Sequence, residues 1–384
     1  MKKKVLIVIQ QLRRGGVEVA AVNFSSHIDQ DKYEFTYYLQ KVESKQDEEL
    51  IEIINKSNSK VIVRPHTAKN YIQQYQDALR VMRAGKYDIV HSHVMFYNGI
   101  IMLAAKMSGI KKRVSHSHAT EWNRKETLPF KIYRAFMRKL INMFATDKLA
   151  CSTAAGNYMY GKKEYAADGT FLANGIEIER YALSNDMRAK KRAELSISKD
   201  EILVGHIGTI YRIKNQVFLV EIFAEMLKSN PNLKLILAGE IVDGDIIKEK
   251  SRELGVEDKV FMLGQRTDVA ELLQAFDIMI FPSLNEGLPV SLIEAQASKL
   301  PCLISDRVTA EVKFNSNVDF MPLEVDAEKW SSRAFELLKT DRNGIDITAL
   351  SETYDINKVA QKLDGIYSAG GVANDQYNRS CIQC

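Results

Sequence analysis

The chain has little cysteine. Only Cys151, Cys302, Cys381 and Cys384 occur in 384 residues, and the first two lie inside apolar strand-like segments. That usage fits a reducing compartment, so a cytoplasmic location is expected, at the inner face of the cell membrane if the chain touches lipid. Long apolar runs are also missing, and none approaches the ~18 residues that a membrane-spanning helix needs. The opening MKKKVLIVIQQLRR places apolar residues after a basic segment, but Gln10 and Gln11 break the run and no small-residue cleavage site follows. It reads as a first strand and not as a secretion signal. The dinucleotide fingerprint G-x-G-x-x-G is absent after that strand, which argues against NAD or FAD, and no cofactor is expected. There is no solenoid repeat and no low-complexity tract. The terminal Cys381-Ile-Gln-Cys384 has no second Cys/His pair at zinc-finger spacing and fits a prenylation box poorly, so residues 369–384 read as a flexible tail.

What the chain has is alternation. Short apolar, β-branched runs recur between helix-period segments: Val5–Ile9, Phe35–Leu39, Val61–Arg64, Asp88–Val94, Arg113–His118, Lys148–Ser152 and Phe171–Ala173. After residue 200 the series restarts with Ile202–Gly208, Leu233–Ala238, Val260–Leu263, Ile278–Pro282, Cys302–Ser305 and Val318–Met321. Two consecutive β-α-β arrays predict an α/β protein with two parallel sheets, each covered by helices on both faces. The expected domains are 1–178 and 179–354, joined near Asn174-Gly175, where both residue types tolerate left-handed backbone. A helix over 355–368 is expected to pack back on the first domain. Charge divides with the domains: up to residue 180 there are 29 Lys and Arg against 18 Asp and Glu, or +11, and the remainder holds 24 against 31, or −7. The first half therefore suits an anionic surface or ligand, and no nucleic-acid partner is expected.

Ligands of open parallel sheets bind beyond the carboxyl ends of the strands, so two facing sheets would make a cleft lined by both sets of loops. In the first half the loop QQLRRGG offers Gly15 and Gly16 ahead of a helix N-terminus, where backbone can approach a phosphate. His93, His116 and His118 end two neighbouring strands; His118 is nearest the loop and best placed to bind hydroxyls or move protons. Three histidines without acidic partners point away from a metal site. In the second half, Arg212, Lys214 and Asn215 follow the first strand at the mouth of a helix, where a diphosphate would need compensation. The segment FPSLNEGLPVSLIEAQASKLP then sets Glu286 and Glu294 on either side of a helix expected to start near Pro289. That helix N-terminus favours phosphate while the carboxylates accept hydrogen bonds from hydroxyls.

Glu286 and Glu294 with Gly287-Leu288-Pro289 between them, the Lys214-Asn215 loop, Gly15-Gly16 and Asn174-Gly175 together resemble the retaining glycosyltransferases of family 4, of GT-B fold. The resemblance spans about residues 1–368. It implies transfer of a sugar from a nucleotide-diphosphate sugar, a UDP-sugar in preference to a GDP-sugar, with retention and without a metal ion. It further implies that Glu294 holds the ribose hydroxyls, Glu286 the donor sugar, and the N–H groups of Gly287 and Leu288 the sugar and phosphate. Lys214 would neutralise the leaving diphosphate, His118 would sit beside the reacting sugar, and Gly16 would lie close to the phosphates. The chain departs from the family at Thr209, where an Arg is usual; Arg212 stands nearby. A glycan or lipid-linked acceptor in bacterial surface polysaccharide synthesis is the implied partner. Two other readings of the same scaffold are a sugar-nucleotide epimerase and a non-catalytic nucleotide-binding subunit.

One further segment bears on partners. FKIYRAFMRKLINMF over 130–144 puts Tyr133, Phe136, Met137, Leu140, Ile141 and Phe144 on one helix face and Lys131, Arg134 and Arg138 on another. This suits either peripheral contact with an anionic membrane or an ordinary helix with its apolar side in the core.

Overall fold

The computed structural model of the chain describes residues 1–12, 16–42, 51, 54, 59–65, 70–120 and 127–369. Gly15 and the tail from 370 onward, with Cys381 and Cys384, lie outside the described residues. Two compact units emerge, Met1–Gly175 with Ile356–Cys384, and Ile176–Asp355. The first division falls three residues before the boundary expected from sequence, and its cause is packing. A Cβ on Gly175 would lie 2.7 Å from the Ile356 side chain, so glycine is needed there for close approach. Neither Asn174 nor Gly175 adopts the left-handed backbone expected of them.

In the first unit the strands are β1 (Lys3–Ile9), β2 (Tyr33–Leu39), β3 (Lys60–Val63), β4 (Ile89–Ser92), β5 (Lys112–Ser117), β6 (Asp147–Ala150) and β7 (Gly169–Phe171). They run parallel in the order β3-β2-β1-β4-β5-β6-β7. Val5–Ile9 in β1 are buried on both faces of the sheet, which is why that strand is a continuous apolar run with no alternation. Helix Ile356–Ser368 closes on this unit. Tyr33 Oη donates to Asp364 at 2.6 Å and Lys32 Nζ reaches the same carboxylate at 2.9 Å. The preceding helix, Thr348–Tyr354, belongs to the second unit, and Asp355 between them bridges to Ile176.

The second unit holds β8 (Ile202–Ile207), β9 (Leu233–Ala238), β10 (Val260–Gly264), β11 (Ile278–Phe281), β12 (Cys302–Ser305) and β13 (Val318–Met321), parallel in the order β10-β9-β8-β11-β12-β13. Its core gathers Phe223, Leu235, Ile280 and Trp330. Trp330, fully buried in helix Ala327–Leu337, donates its indole N–H to Pro322 O at 3.1 Å and meets Phe218 edge-on at 5.8 Å. Trp330→Ala is expected to cost about 3–5 kcal/mol, because the cavity cannot fully collapse in a close-packed core. A lower urea midpoint by circular dichroism would register it. In both sheets the strand order reverses at the middle, between β1 and β4 and between β8 and β11, and these switch points are where open parallel sheets present their ligand-binding loops.

Helix Leu128–Phe144 corrects the face expected for it. Met137 and Ile141 are buried, but Phe136 is 56% exposed and shares the outer face with Leu128, Ile132 and Met143. Lys131 and Lys139 are exposed on that face too. The arginines are otherwise engaged: Arg138 donates to the carbonyls of Tyr158 and Met159, and Arg134 lies over the Tyr158 ring.

Candidate active site

The loop beyond β8 is set by backbone. After Gly208 the chain makes a short 3-10 turn, Arg212–Lys214, and Asn215 then adopts φ 55°, ψ 37° before helix Gln216–Ser229 begins. Asparagine tolerates this left-handed geometry better than most residues. Gln216 fixes the loop from below, its buried amide donating to Thr209 O at 2.9 Å. Gly239, at the end of β9, packs directly on this loop: a Cβ there would fall 2.1 Å from Gly208 O. The loop thus rests on backbone alone at that crossing.

The loop beyond β11 meets it across the switch point. Leu284 N–H donates to Ile213 O at 2.8 Å, tying the two loops together. Lys214 Nζ lies 2.5 Å from Glu286 Oε1, with the side chains 20% and 16% exposed, and 4.9 Å from the Phe281 ring centroid. Phe281 in turn stacks on His206 at 4.9 Å. Burial pushes the His206 imidazole down to about 4, and nearby Lys214 acts the same way against the carbonyl of Ile280, so His206 is neutral beneath the lysine. Arg212 opens the 3-10 turn and Asn215 follows it. They line a cavity of about 570 Å³ with Ile210, Tyr211, Ile246 and Leu284, while the Arg212 N–H is held by Asp243.

Gly287 and Leu288 follow Glu286, and among the described residues their N–H groups make no backbone hydrogen bond. Pro289 is the N-cap of helix Val290–Ala297, so the helix begins one position later than the start at Pro289 expected from sequence. Glu294 stands in that helix with its Oε1 accepting from Tyr181 Oη at 2.7 Å. Burial raises the Glu294 carboxyl above its ordinary value, with the Tyr181 hydroxyl and Arg180 opposing. Among the described residues nothing bonds its other oxygen, so one carboxylate oxygen is anchored and the second can accept from a ligand hydroxyl.

In the first unit, Gly16 opens helix Gly16–His27 and is exposed. His118 lies just beyond β5. Its Nδ1 donates to Asn174 Oδ1 at 2.9 Å, and its Nε2 faces His93 Nδ1 at 2.8 Å. Both ring nitrogens are therefore committed, and a ligand hydroxyl could bond His118 only by displacing a partner. Burial pushes its imidazole down to about 4, so it is neutral near pH 7.

Tyr181, Gln216 and the tie between Asn174 and His118 escape sequence reasoning. Tyr181–Glu294 and Asn174–His118 join residues far apart in the chain, Gln216 reaches back within its own loop, and no periodic pattern marks any of these contacts. His91 had a signal, the repeated HSH of residues 91–93 and 116–118, which puts 91, 93, 116 and 118 on one sheet face.

Comparison with known proteins adds identity to this geometry. The family described as Glycosyltransferase Family 4 matches residues 14–180, and that described as Glycosyl transferases group 1 matches residues 187–339. EpsF of Bacillus subtilis (strain 168), a glycosyltransferase by name, is 31% identical over 316 residues, 81% of each chain. CapH of Staphylococcus aureus, named as a capsular polysaccharide biosynthesis glycosyltransferase, is 24% identical over 375 residues, 95% of this chain and 98% of its own. In three dimensions the Anabaena protein HepE, solved in complex with UDP, aligns over 94% of this chain and 98% of its own with a TM-score of 0.78 at 18% identity. Two Rossmann-like units in this succession are the GT-B fold. With both halves matched and a relative above 30% identity along four-fifths of its length, the chain belongs to the group 1 glycosyltransferases of family 4.

Proposed function

We propose that the enzyme transfers a hexosyl group from a nucleotide-diphosphate sugar, a UDP-sugar by preference, to a glycan or lipid-linked acceptor in bacterial surface polysaccharide synthesis. The anomeric carbon exchanges its bond to the diphosphate oxygen for one to the acceptor oxygen with retained configuration, and the acceptor proton leaves with the nucleotide. The observation that carries this reading is the pair Lys214–Glu286, delivered from the two strands that flank a switch point. The donor brings a diphosphate for the ammonium and hydroxyls for the carboxylate, so one ligand replaces each partner of the pair. Lys214 then stabilises charge as it grows on the leaving group, which makes a metal ion unnecessary. The N–H groups of Gly287 and Leu288 assist at sugar and phosphate, Arg212 and Asn215 border the same loop, and Glu294 with one oxygen fixed by Tyr181 receives the ribose hydroxyls. HepE, solved with UDP, and CapH, named for capsule synthesis, support the donor and the pathway class.

The test is release of nucleotide diphosphate from a panel of UDP- and GDP-sugars with an acceptor present. Glu286→Gln should keep the fold and lower donor-dependent release by about 10²-fold. Equal release by wild type and variant would refute the assignment, as would the absence of transfer from every donor. The same reading places the acceptor near lipid. Among the described residues no helix is long and apolar enough to cross a membrane, so contact would be peripheral. Leu128, Ile132, Phe136 and Met143, with Lys131 and Lys139 beside them, form a face suited to an anionic bilayer. Phe136→Glu should weaken co-sedimentation with phosphatidylglycerol vesicles and leave binding to neutral ones unchanged.

A further inference from the structure

Within the first unit, β4 and β5 turn four imidazoles onto one sheet face. Their ring centroids lie close, 4.2 Å from His91 to His93, 4.1 Å from His116 to His118 and 5.3 Å from His91 to His116. Phe24 stacks over the group, 5.7 Å from His116, and shields it from solvent. We propose that His91, His93 and His116 form a binding site for one divalent transition-metal ion of the zinc type.

One ring nitrogen from each of the three lies within 4.8 Å of those of the other two. His91 Nε2 and His116 Nδ1 are already 3.2 Å apart. A tetrahedral ion with metal–nitrogen bonds of about 2.0–2.1 Å sets neighbouring donors about 3.3 Å apart, so this edge is near its final length. The outer nitrogens are oriented as ligand histidines require. His91 Nδ1 pairs with Tyr367 Oη at 2.7 Å and His93 Nδ1 with His118 at 2.8 Å, which leaves each Nε2 for the ion. His93 Nε2, the nitrogen turned to the ion, is buried and has no hydrogen-bond partner, a condition that buried polar atoms rarely tolerate unless a ligand completes them.

The donor set selects the ion. Three imidazoles suit zinc, cobalt or nickel, whereas magnesium and calcium need oxygen ligands. Burial disfavours the imidazolium form of all three, so protons compete weakly for the donor atoms. On binding, the proton shared by His91 and His116 shifts to His116 Nε2 or His91 Nδ1, and no net proton is lost. With Tyr367 on helix Ile356–Ser368 as the outer partner, the ion would join that helix to β4 and β5 and stabilise the folded unit.

Untagged protein carrying Cys381→Ser and Cys384→Ser, stripped with a chelator, should bind one equivalent of Co²⁺ with visible d–d absorption, and Zn²⁺ should displace it and raise the Tm. Mg²⁺ should do neither. His116→Gln and the more peripheral His93→Gln should each weaken Co²⁺ binding by about tenfold or more. If His116→Gln fails to fold, the wild-type titration and His93→Gln still decide. Absence of stoichiometric binding, a thiolate charge-transfer band, or unchanged affinity in His93→Gln would overturn the proposal.

Discussion

Lys214→Ala is expected to lower kcat by about 10²–10³-fold, the loss typical of removing one preorganised donor from a developing anion. The chain offers no evident substitute at the same point. Thr209, where the family resemblance implies an arginine, carries no charge, and Arg212 opens the 3-10 turn that Lys214 ends, its backbone N–H held by Asp243. The alanine variant also strips Glu286 of its partner, which confuses loss of catalysis with loss of an ion pair. Lys214→Ala/Glu286→Gln separates the two, because the double variant leaves no carboxylate unpaired. Stability should recover in the double variant while turnover stays low. A double variant with restored turnover would show the pair to be structural only. The pair itself is partly exposed, so its own contribution to stability is modest.

Acid should unfold the first unit before the second. The His118 and His91 imidazoles sit at about 4 and about 3 in the folded protein, depressed by burial from an ordinary 6.5. Between those values the unfolded chain binds protons that the folded chain does not, so this stability is intact above pH 6.5 and drains as the pH falls. At about 1.4 kcal/mol per pH unit and group, His91 and His118 together would cost roughly 4 kcal/mol by pH 5. Burial also holds His93 and His116 well below 6.5, which adds to the loss, whereas the second unit has His206 alone in this condition, at about 4. Thermal unfolding of metal-free protein at pH 7, 6 and 5 should therefore split into two transitions, the lower one tracking probes in the first unit. A single pH-independent transition would contradict the buried neutral cluster.

Most of the thirteen described strands were legible because a parallel strand covered by helices on both faces is largely apolar. Runs such as ILVGHI and CLIS carry that requirement in their composition. Lys214, Glu286 and Glu294 stand out in the sequence for a related reason, since the first two lie in loops beyond β8 and β11 and the third in the helix that follows. Less visible was what these residues hold. Tyr181 reaches Glu294 across 113 positions, and Asn174, valued for its backbone, acts through its side chain on His118. Helix Leu128–Phe144 misled because amphipathic periodicity reveals that two faces differ without saying which apolar residues find a neighbour. Phe136 satisfies the spacing and still points to solvent.

The crossing of Gly239 on Gly208 bears on how the enzyme can diversify. A contact made by main chain against main chain is indifferent to side-chain identity yet admits no bulk. Libraries aimed at a new donor should leave both glycines untouched and randomise cavity-lining side chains such as Leu284 and Ile246, where change enlarges or narrows the space without dislodging the lysine's footing.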